Sequence, residues 1–368
     1  MEHLNTMERC DLQEILADNV IPWHLLKGKT VLVTGATGLV GRALTQALLY
    51  AGETVCGEIR VIAPVRDVKK ATDLFDSQAQ ERGTLVLLPW EAERALETDG
   101  PVDYAVHCAS QTASRAFVRT PVETIRTAVF GTEHVLRLAH AKGAKTVYLS
   151  SLEACGDHQT DEKVPEDYSG PIDPLAARSC YPESKRLCEN LCAAYFHEYG
   201  LPVNILRLAQ TFGPGVRSSD QRVFAEFARC VCQGRDIVLR TAGDMRHSYV
   251  ASADAVRAIL LVLLAGEAGA AYNVANEATY CSILDMAELA AHTIADGRIA
   301  VKLDQSVPLE QLGYPKPSRL NLDASRLRQL GWTPRQTLRD MLERLVFSFR
   351  EQENGLHVSQ QTTGNRIC

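Results

Sequence analysis

The amino-acid sequence predicts an α/β protein with a doubly wound parallel sheet, followed by a smaller α/β lobe. From residue 29 onward, short apolar segments alternate with helical segments. Short apolar strands that alternate with helices are typical of a parallel sheet covered on both faces. A glycine-rich turn joins the first strand to the first helix. Short connections and right-handed crossovers then favour a doubly wound topology.

The predicted strands of the sheet follow one another along the first part of the chain. They cover 30–34, 59–65, 84–88, 104–108, 146–150 and 203–208, and the first helix between them covers 39–50. After Arg207 the alternation weakens. Helices are predicted there over 224–233, 253–264, 284–295 and 338–349, and short strands over 237–239 and 272–274.

Composition and charge exclude several classes of protein. The 368 residues carry a formal net charge of −6, so the chain lacks the basic surface expected of a nucleic-acid-binding protein. Acidic residues such as Glu2, Glu8 and Asp11 interrupt the first 27 residues, which do not resemble a secretory signal. The most apolar stretch, 255–265, is too short to span a membrane. We therefore expect a cytoplasmic protein without a membrane or nucleic-acid partner.

The cysteines do not predict a metal site. The chain has eleven of them, yet no two have the Cys-x-x-Cys spacing of a structural zinc site. Cys188 and Cys192 lie one helical turn apart, and Cys230 and Cys232 flank a valine with no histidine nearby. We expect buried or half-buried thiols in a reducing compartment, and no metal.

The glycine-rich turn predicts a dinucleotide site. Gly35 permits a tight turn, Gly38 lets the backbone approach a pyrophosphate, and Gly41 lets the helix pack close to the strand. The N-terminus of the following helix offers unpaired N–H groups and a favourable dipole to phosphate. The residues expected to contact the dinucleotide are Gly35, Thr37, Gly38, Leu39, Val40 and Gly41.

The end of the second strand bears on the choice between NAD and NADP. An NAD site usually has an acidic residue there, which accepts hydrogen bonds from the ribose hydroxyls. Here Arg66 occupies the end of the strand and Asp67 follows it. A guanidinium can grip a 2′-phosphate with two hydrogen bonds, so Arg66 favours NADP slightly, although it can equally be a solvated loop residue.

Three residues predict the chemistry. Ser151 ends the fifth predicted strand, and Tyr181 and Lys185 are four residues apart at the start of a helix, so they project from the same side. A phenol is a poor base at neutral pH, but an ammonium group and an oxidised nicotinamide beside it favour the phenolate. With the Ser151 hydroxyl bonded to the reacting oxygen, this set suits removal of a proton from an alcohol as hydride leaves.

Together these residues resemble the extended short-chain dehydrogenase/reductase family, and within it the NAD-dependent epimerase/dehydratase branch. The resemblance runs from Lys29 to about Val346. The other segments that carry it are His107-Cys108-Ala109-Ser110, Gly131-Thr132, Arg207-Leu208-Ala209, Gln210-Thr211-Phe212-Gly213-Pro214, Arg246 to Val250 and Leu330-Gly331-Trp332-Thr333-Pro334. The resemblance implies a Rossmann-type fold, bound NAD or NADP, and a sugar substrate carried by a nucleoside diphosphate. We also expect a homodimer.

The resemblance also implies roles for individual residues. Ala109, Ser110, Tyr181 and Lys185 would contact the cofactor. The substrate would contact Ser110, Gln210, Thr211 and Arg178, with Arg246 at its diphosphate and Arg319 as a second candidate there. Locally the chain is most similar to UDP-glucuronate decarboxylases, through Arg178-Ser179-Cys180-Tyr181 and the stretch 211–223.

Departures from the family pattern limit these expectations. Sugar 4,6-dehydratases have an acidic pair where this chain has Leu152-Glu153, and leucine cannot donate a proton, so dehydration is disfavoured. Glu153 is the fourth catalytic candidate, as in the decarboxylases, where a carboxylate lies beside the reacting carbons, although it can also be a simple loop carboxylate. A nearby arginine such as Arg178 could balance its charge. Gln210 replaces the more usual asparagine and Cys155 the more usual tyrosine, which leaves the sugar and the base open. His107 and His247 are assigned no chemical role. His107 is expected to pack against the cofactor cleft, and His247 to be exposed or near a phosphate.

The sequence thus divides into a lead-in helix (1–28), an NAD(P)-binding Rossmann domain (29–210), a substrate-binding lobe partly interleaved with the sheet (211–350) and a disordered tail (351–368). The leading hypothesis is a nucleotide-sugar enzyme that oxidises C4 transiently, first as a plain epimerase, with decarboxylation as the main variant. The alternatives are a net NADP-dependent reductase or dehydrogenase of a small alcohol or ketone, and a non-catalytic NAD(P)-binding scaffold.

Overall fold

The computed structural model describes residues 4–304, 306 and 317–364, with side chains as far as residue 353. In chain order the strands are β1 (Thr30–Thr34), β2 (Arg60–Val65), β3 (Leu85–Pro89), β4 (Tyr104–His107), β5 (Lys145–Ser151), β6 (Lys163–Val164), β7 (Val203–Leu208), β8 (Gln210–Phe212), β9 (Ile237–Leu239), β10 (Arg246–Ala251), β11 (Ala271–Val274), β12 (Asn276–Ser282), β13 (Val301–Leu303) and β14 (Arg319–Leu322).

Helices connect most of these strands. They are α1 (Thr6–Leu16), α2 (Leu39–Thr54), α3 (Val68–Thr72), α4 (Ser77–Glu81), α5 (Ser114–Arg119), α6 (Pro121–Lys142), α7 (Cys180–Tyr199), α8 (Val223–Gln233), α9 (Ser252–Ala265), α10 (Ile283–Glu288), a short helix Ser325–Gln329 and a last helix Leu338–Gly364. Short 3₁₀ turns cover Trp23–Leu26, Leu152–Cys155 and Ala177–Ser179, and a π-helical turn covers Leu289–Ile294. The prediction over 284–295 therefore corresponds to α10 and the π turn.

The main sheet has seven parallel strands in the order β3-β2-β1-β4-β5-β7-β11. This is the predicted doubly wound sheet, and all six strands predicted for it are present. The strand predicted over 272–274 is its seventh strand, β11, which pairs with β7. The direction of strand order reverses between β1 and β4, and ligands of such sheets bind beyond the carboxyl ends of the strands at that point.

Helices cover both faces of this sheet, as expected for apolar parallel strands. On one face α2 and α9 bury residues such as Leu44, Leu48 and Ile259 against the strands. On the other face α6 and α7 bury residues such as Val135 and Cys188. The helices therefore leave the carboxyl edge of the strands open for a site.

A second sheet was not predicted from the sequence. It has the order β12-β10-β14-β6, and β8 pairs with β10. Its strands come from distant parts of the chain, and β6, β8 and β14 are only two to four residues long, so no local pattern predicts the sheet. Strands β9 and β13 pair with each other in a separate two-stranded parallel sheet. The predicted substrate-binding lobe stays a prediction.

The last helix continues past residue 350, where the sequence predicted a disordered tail. It runs as far as Gly364. Polar contacts hold its residues just past 350, because the Thr6 hydroxyl donates to Glu351 at 2.6 Å and Gln352 donates to the carbonyl of Val216 at 3.3 Å. Residues 365–368 of the predicted tail lie outside the described residues. No helix in the described ranges is long and apolar enough to cross a membrane.

The segment before β1 is held by buried charges. Arg257 of α9 is 2% exposed and forms ion pairs with Asp18 and, at 2.8 Å, with Asp254. Arg257 also donates to the carbonyl of Thr333 at 2.9 Å, and Arg335 lies 3.3 Å from Asp18. This cluster fastens the lead-in segment and the segment before the last helix to α9.

Replacing Arg257 tests that role. The Arg257→Ala variant leaves two buried carboxylates without their main partner, which should lower the free energy of unfolding by about 3–5 kcal/mol. Urea denaturation would measure the change. The control is Arg339→Ala, which removes an exposed pair with Glu343 and should lower it by about 0.3–0.5 kcal/mol. Similar losses in the two variants would contradict the assignment.

Candidate active site

The glycine-rich turn after β1 leaves no room for side chains. Gly35 has a φ of +67°, and a Cβ there would lie 2.7 Å from the backbone nitrogen of Ala109. A Cβ on Gly41 would overlap the carbonyl oxygen of Gly35. Gly38 is exposed and precedes α2, whose N-terminus receives no side-chain hydrogen bond among the residues that the structure describes. The turn therefore presents bare backbone and a helix N-terminus, as a dinucleotide pyrophosphate requires.

A buried hydrogen bond holds this turn beside the end of β4. Thr34 Oγ1 and His107 Nδ1 are 2.7 Å apart, and the backbone N–H of Ala109 donates to the same Thr34 oxygen at 3.2 Å. Burial lowers the pKa of His107 to about 3, so its ring is neutral at physiological pH. His107 thus packs at the strand end as expected and is not placed to exchange protons.

The end of β2 carries the two residues that bear on cofactor choice. Arg66 is exposed and forms no ion pair with any described residue. Asp67 is the N-cap of α3, where its side chain accepts a hydrogen bond from the N–H of Lys70 at 3.0 Å. The carboxylate next to Arg66 is therefore engaged in capping a helix.

The three predicted catalytic residues are all buried. Ser151 ends β5, Tyr181 is in the first turn of α7, and Lys185 follows one helical turn later. Lys185 Nζ donates to the carbonyl of Leu149 at 2.7 Å and lies 5.9 Å from the centre of the Tyr181 ring. The structure thus brings the end of β5 and the start of α7 together around the phenol.

The electrostatics of the phenol differ from the sequence expectation. Burial and the negative charge of Glu153 raise the pKa of Tyr181, while the Ser151 hydroxyl, Arg178 and Arg222 oppose this rise. Burial also lowers the pKa of Lys185 to about 8. The ammonium bonds to a carbonyl and does not by itself stabilise the phenolate. The chain's own groups therefore keep Tyr181 protonated at neutral pH.

Glu153 and Arg178 form an ion pair beside the phenol. Arg178 donates through two nitrogens to the two Glu153 oxygens, at 2.9 and 3.2 Å, and both side chains are partly buried. The sequence suggested that Arg178 could balance the charge of Glu153, and the two do meet. A paired carboxylate and guanidinium near Tyr181 can orient or discriminate a charged substrate group.

Sequence reasoning missed two residues near Tyr181. Phe117 of α5 stacks on the Tyr181 ring, with centroids 4.3 Å apart and planes 9° apart, and Arg178 lies over the ring of Phe117 at 5.7 Å. Arg222 is near enough to lower the pKa of Tyr181. Neither lies in a catalytic motif of its own, although Arg222 falls within the stretch 211–223 that carries the family resemblance.

The two predicted diphosphate arginines are adjacent. Arg246 of β10 and Arg319 of β14 are paired residues in neighbouring parallel strands. Each has a carboxylate partner, Asp285 at 3.6 Å from Arg246 and Asp161 at 2.9 Å from Arg319. Tyr280 also donates to Asp161, at 2.7 Å. Two adjacent guanidinium groups with exchangeable partners suit an anionic ligand.

His247 is half-buried, so the first alternative, an exposed ring, is wrong, and the second, a ring near a phosphate, stays a prediction. Its Nε2 lies 3.0 Å from the hydroxyl of Ser318, because β10 and β14 pair directly at this point. Burial and the positive charge of Arg178 lower the pKa of His247 to about 4. The ring is therefore neutral at physiological pH and lies toward the side of the site that contains Arg178.

The remaining predicted ligand contacts lie on both sides of the site. Ser110 follows the turn after β4 and is half-buried, like Gln210 at the start of β8. Thr211 is buried and donates its hydroxyl hydrogen to the carbonyl of Ala209 at 2.9 Å. Their roles in ligand binding stay predictions. In the part of the chain that the structure describes, no group of three or more His, Cys, Asp or Glu side chains is arranged to hold a metal ion.

Sequence comparisons place this geometry among known proteins. The model of the NAD dependent epimerase/dehydratase family matches residues 31–275. UDP-glucuronic acid decarboxylase 1 of Xenopus tropicalis is 26% identical over 330 residues, which cover 88% of this chain and 73% of that protein. UDP-glucuronic acid decarboxylase 3 of Arabidopsis thaliana is 29% identical over 254 residues, which cover 69% of this chain and 71% of that protein.

Solved structures share the fold. A UDP-glucose 4-epimerase from Thermotoga maritima, crystallised with UDP-glucose, has a TM-score of 0.71 at 22% identity and covers 88% of this chain and 99% of its own. A dTDP-glucose 4,6-dehydratase from Streptomyces venezuelae, crystallised with NAD, has a TM-score of 0.73 at 23% identity, with coverage of 88% and 98%. These likenesses show the fold alone and do not identify the reaction.

The role of Tyr181 can be tested by removing one oxygen. We expect Tyr181→Phe to lose turnover by a factor on the order of 10²–10⁴, because it loses the proton-transfer group. The stacking on Phe117 is retained, so the melting temperature and dinucleotide affinity should stay close to wild type. Tyr195→Phe is the matched control, since Tyr195 is a buried tyrosine on the same helix and its hydroxyl donates to Glu133 at 2.9 Å. Turnover near the wild-type rate in Tyr181→Phe would contradict the assignment.

Cofactor preference gives a second test. If Arg66 grips a 2′-phosphate, Arg66→Ala should weaken NADP binding much more than NAD binding, by roughly 1.5–3 kcal/mol for the lost charged hydrogen bonds. Titration calorimetry with both dinucleotides would measure this. Arg60→Ala, an exposed arginine at the other end of β2, is the control. Equal losses for NAD and NADP, or none, would show that Arg66 only lines the turn.

Proposed function

Because the chain belongs to the NAD-dependent epimerase/dehydratase family, we propose that it acts on a nucleotide sugar by transient oxidation at C4, and that a UDP-linked uronic acid is decarboxylated. The Glu153–Arg178 pair beside Tyr181 is the observation that carries this proposal. The similarity of the chain to UDP-glucuronic acid decarboxylases of Xenopus tropicalis and Arabidopsis thaliana supports it. Leu152 argues against dehydration, because it replaces an acidic residue of that reaction with a side chain that cannot transfer a proton.

The residues around the glycine-rich turn fit a dinucleotide. Gly35, Gly38 and Gly41 would hold its pyrophosphate, and Ala109 and Ser110 would lie along it. When bound there, the dinucleotide would supply reversible hydride transfer and a positive charge near Tyr181. The preference for NADP over NAD rests on Arg66 alone.

Tyr181 and Ser151 act on the C4 hydroxyl in this proposal. Tyr181 accepts the hydroxyl proton as hydride leaves C4, and Ser151 donates a hydrogen bond to the same oxygen. Burial opposes the phenolate, so a positive charge near the ring must favour it. Arg178 and Arg222 contribute such charge from the chain itself.

Decarboxylation follows from the C4 ketone. The carboxylate on C5 is then β to a carbonyl, so the bond between C5 and C6 can break, and its electrons pass to the C4 oxygen as CO₂ leaves. A proton from solvent then adds to C5. Reduction of the C4 ketone, with the proton held by Tyr181 returned to its oxygen, gives a pentose. The negative charge of Glu153 repels the substrate carboxylate and so favours its loss as CO₂. Arg178 can hold the substrate carboxylate in position before that step.

The second sheet would hold the nucleotide. Arg246 and Arg319 would contact the diphosphate by exchanging Asp285 and Asp161 for phosphate oxygens. Gln210 and Thr211 would line the path toward the sugar. The homodimer also remains a proposal, supported by an exposed apolar strip on α6 that contains Val122, Ile125 and Phe130.

A plain C4 epimerase is the second candidate. Ser151, Tyr181 and Lys185 suffice for oxidation, rotation of the keto sugar and hydride return to its other face, so that reaction needs no third acidic group. A net reductase of a small alcohol or ketone would consume its cofactor. Dinucleotide that stays bound through purification supports internal recycling, whereas a site purified without it supports the reductase.

Glu153→Gln separates the two sugar reactions. We expect this variant to lose decarboxylation of UDP-glucuronate by on the order of 10²-fold, because the charge that disfavours the substrate carboxylate is gone. A simple epimerase would retain its activity. NMR of the sugar product together with CO₂ release would distinguish the outcomes.

Glu162→Gln is the control for this experiment, since Glu162 is exposed and forms no ion pair in the described part of the chain. It should behave as wild type. If the wild-type protein yields neither a pentose nor a C4 epimer from any uronate or hexose nucleotide, the nucleotide-sugar proposal is wrong and the reductase takes its place.

A further inference from the structure

The start of α1 contacts both halves of the proposed site. Residues 4–16 precede the part of the chain matched by the family model, which begins at residue 31. Even so, residues 5–8 contact α2 directly after the glycine-rich turn and also the loop that follows β8. We call residues 213–222 the substrate loop, because it contains Arg222 and continues the strand of Gln210 and Thr211.

The first contact is with the cofactor side. Glu8 forms an ion pair with Arg42, the residue that follows Gly41 in α2. The two side chains are 13% and 19% exposed, so solvent screens the pair only weakly. The Glu8 carboxylate also accepts the backbone N–H of Asn5 at 3.0 Å, which completes a capping box at the start of α1.

The second contact is with the substrate loop. The Asn5 side-chain amide donates to the carbonyl of Pro214 at 3.2 Å and to the Ser348 hydroxyl at 2.9 Å. Glu8 also lies against this loop, because a Cβ on Gly215 would be 3.1 Å from its Oε1 and from Leu39 Cδ1. One turn of helix therefore contacts α2, through Arg42, and the substrate loop at the same time, and Leu39 of α2 also lies against Gly215.

The last helix holds the same loop from the other side. Ser348 donates to the carbonyl of Pro214, and Gln352 both donates to the carbonyl of Val216 and accepts from the N–H of Ser218. Thr6 bonds to Glu351, so the two helices also bond to each other. The loop ends at Arg222, which influences Tyr181 electrostatically.

We propose that Asn5 and Glu8 are positioning residues that fix the substrate loop against the cofactor end of α2. The proposal rests on the function proposed above, in which this loop faces a nucleotide sugar and the turn before α2 holds a dinucleotide. The helix that contains Asn5 and Glu8 then sets the spacing between the two ligands. The two residues act through the loop and through Arg42.

Matched variants on one helix test the proposal. Asn5→Asp retains a good N-cap but loses the amide donor to Pro214. Glu8→Gln keeps the shape of the side chain and removes the charge that pairs with Arg42. Glu14→Gln is the control, because Glu14 lies on the same helix and pairs with Arg344 instead. The melting temperature of each variant shows whether it folds.

Hydrogen exchange of the protein without added ligand gives the direct measurement. We expect faster exchange across 213–222 in Asn5→Asp and Glu8→Gln, and unchanged exchange in Glu14→Gln. If the loop then occupies its binding position only about a tenth of the time, the Kd for UDP rises about tenfold. Calorimetry should show this loss for both variants, and a loss of NAD affinity for Glu8→Gln in addition.

The outcomes are distinct. Unchanged exchange in both test variants overturns the proposal, and so do equal effects in Glu14→Gln, which would reveal general destabilisation. Faster exchange with unchanged Kd for both UDP and NAD overturns the positioning role. Failure of the wild-type protein to bind UDP contradicts the proposed function alone, and the exchange measurement together with NAD binding still decides the role of Asn5 and Glu8.

Discussion

The approach of two turns at the carboxyl edge of the main sheet is the constraint on which the rest of the site depends. Gly35 lies so close to Ala109 that the structure excludes any side chain there, and the Thr34–His107 hydrogen bond holds the two strand ends together. Strand order reverses at this point, so the helices diverge and leave space beyond β1 and β4. Ser151 then faces that space from β5 and Tyr181 from α7.

Four arginines on the proposed substrate side of the site are paired with carboxylates, whereas Arg66 and Lys185 form no ion pair in the described part of the chain. Arg178 pairs with Glu153, Arg222 with Asp220, Arg246 with Asp285 and Arg319 with Asp161. Each guanidinium therefore already has an anionic partner, and a phosphate or carboxylate ligand must compete with that partner. The affinity for an anion then depends on the difference in free energy between the arginine–ligand pair and the arginine–carboxylate pair that it replaces. This favours ligands that bind several arginines at once.

The sequence predicted the main sheet well because its signals are local. Apolar strands bounded by glycine and by helical stretches identified β1 and β7 at their observed bounds. The spacing of residues in the sequence also predicted the turn at Gly35 and the shared helix side of Tyr181 and Lys185. The second sheet was not, because β10, β14 and β6 meet only through long-range pairing. Phe117 was missed for the same reason, since its stacking on Tyr181 joins two helices distant in sequence.

The register of β10 and β14 has a consequence for how this chain can vary. Arg246 and Arg319 meet because they are paired residues in neighbouring strands, so both side chains leave the same face of the sheet. A one-residue slip of either strand would turn one guanidinium to the opposite face. Insertions and deletions in the connections between the two strands leave this register intact, whereas a single residue gained or lost inside a strand turns one of the two arginines away from the proposed diphosphate site. At this edge of the sheet, whether the spacing of residues along each strand is odd or even therefore matters more than which other residues occupy the strand.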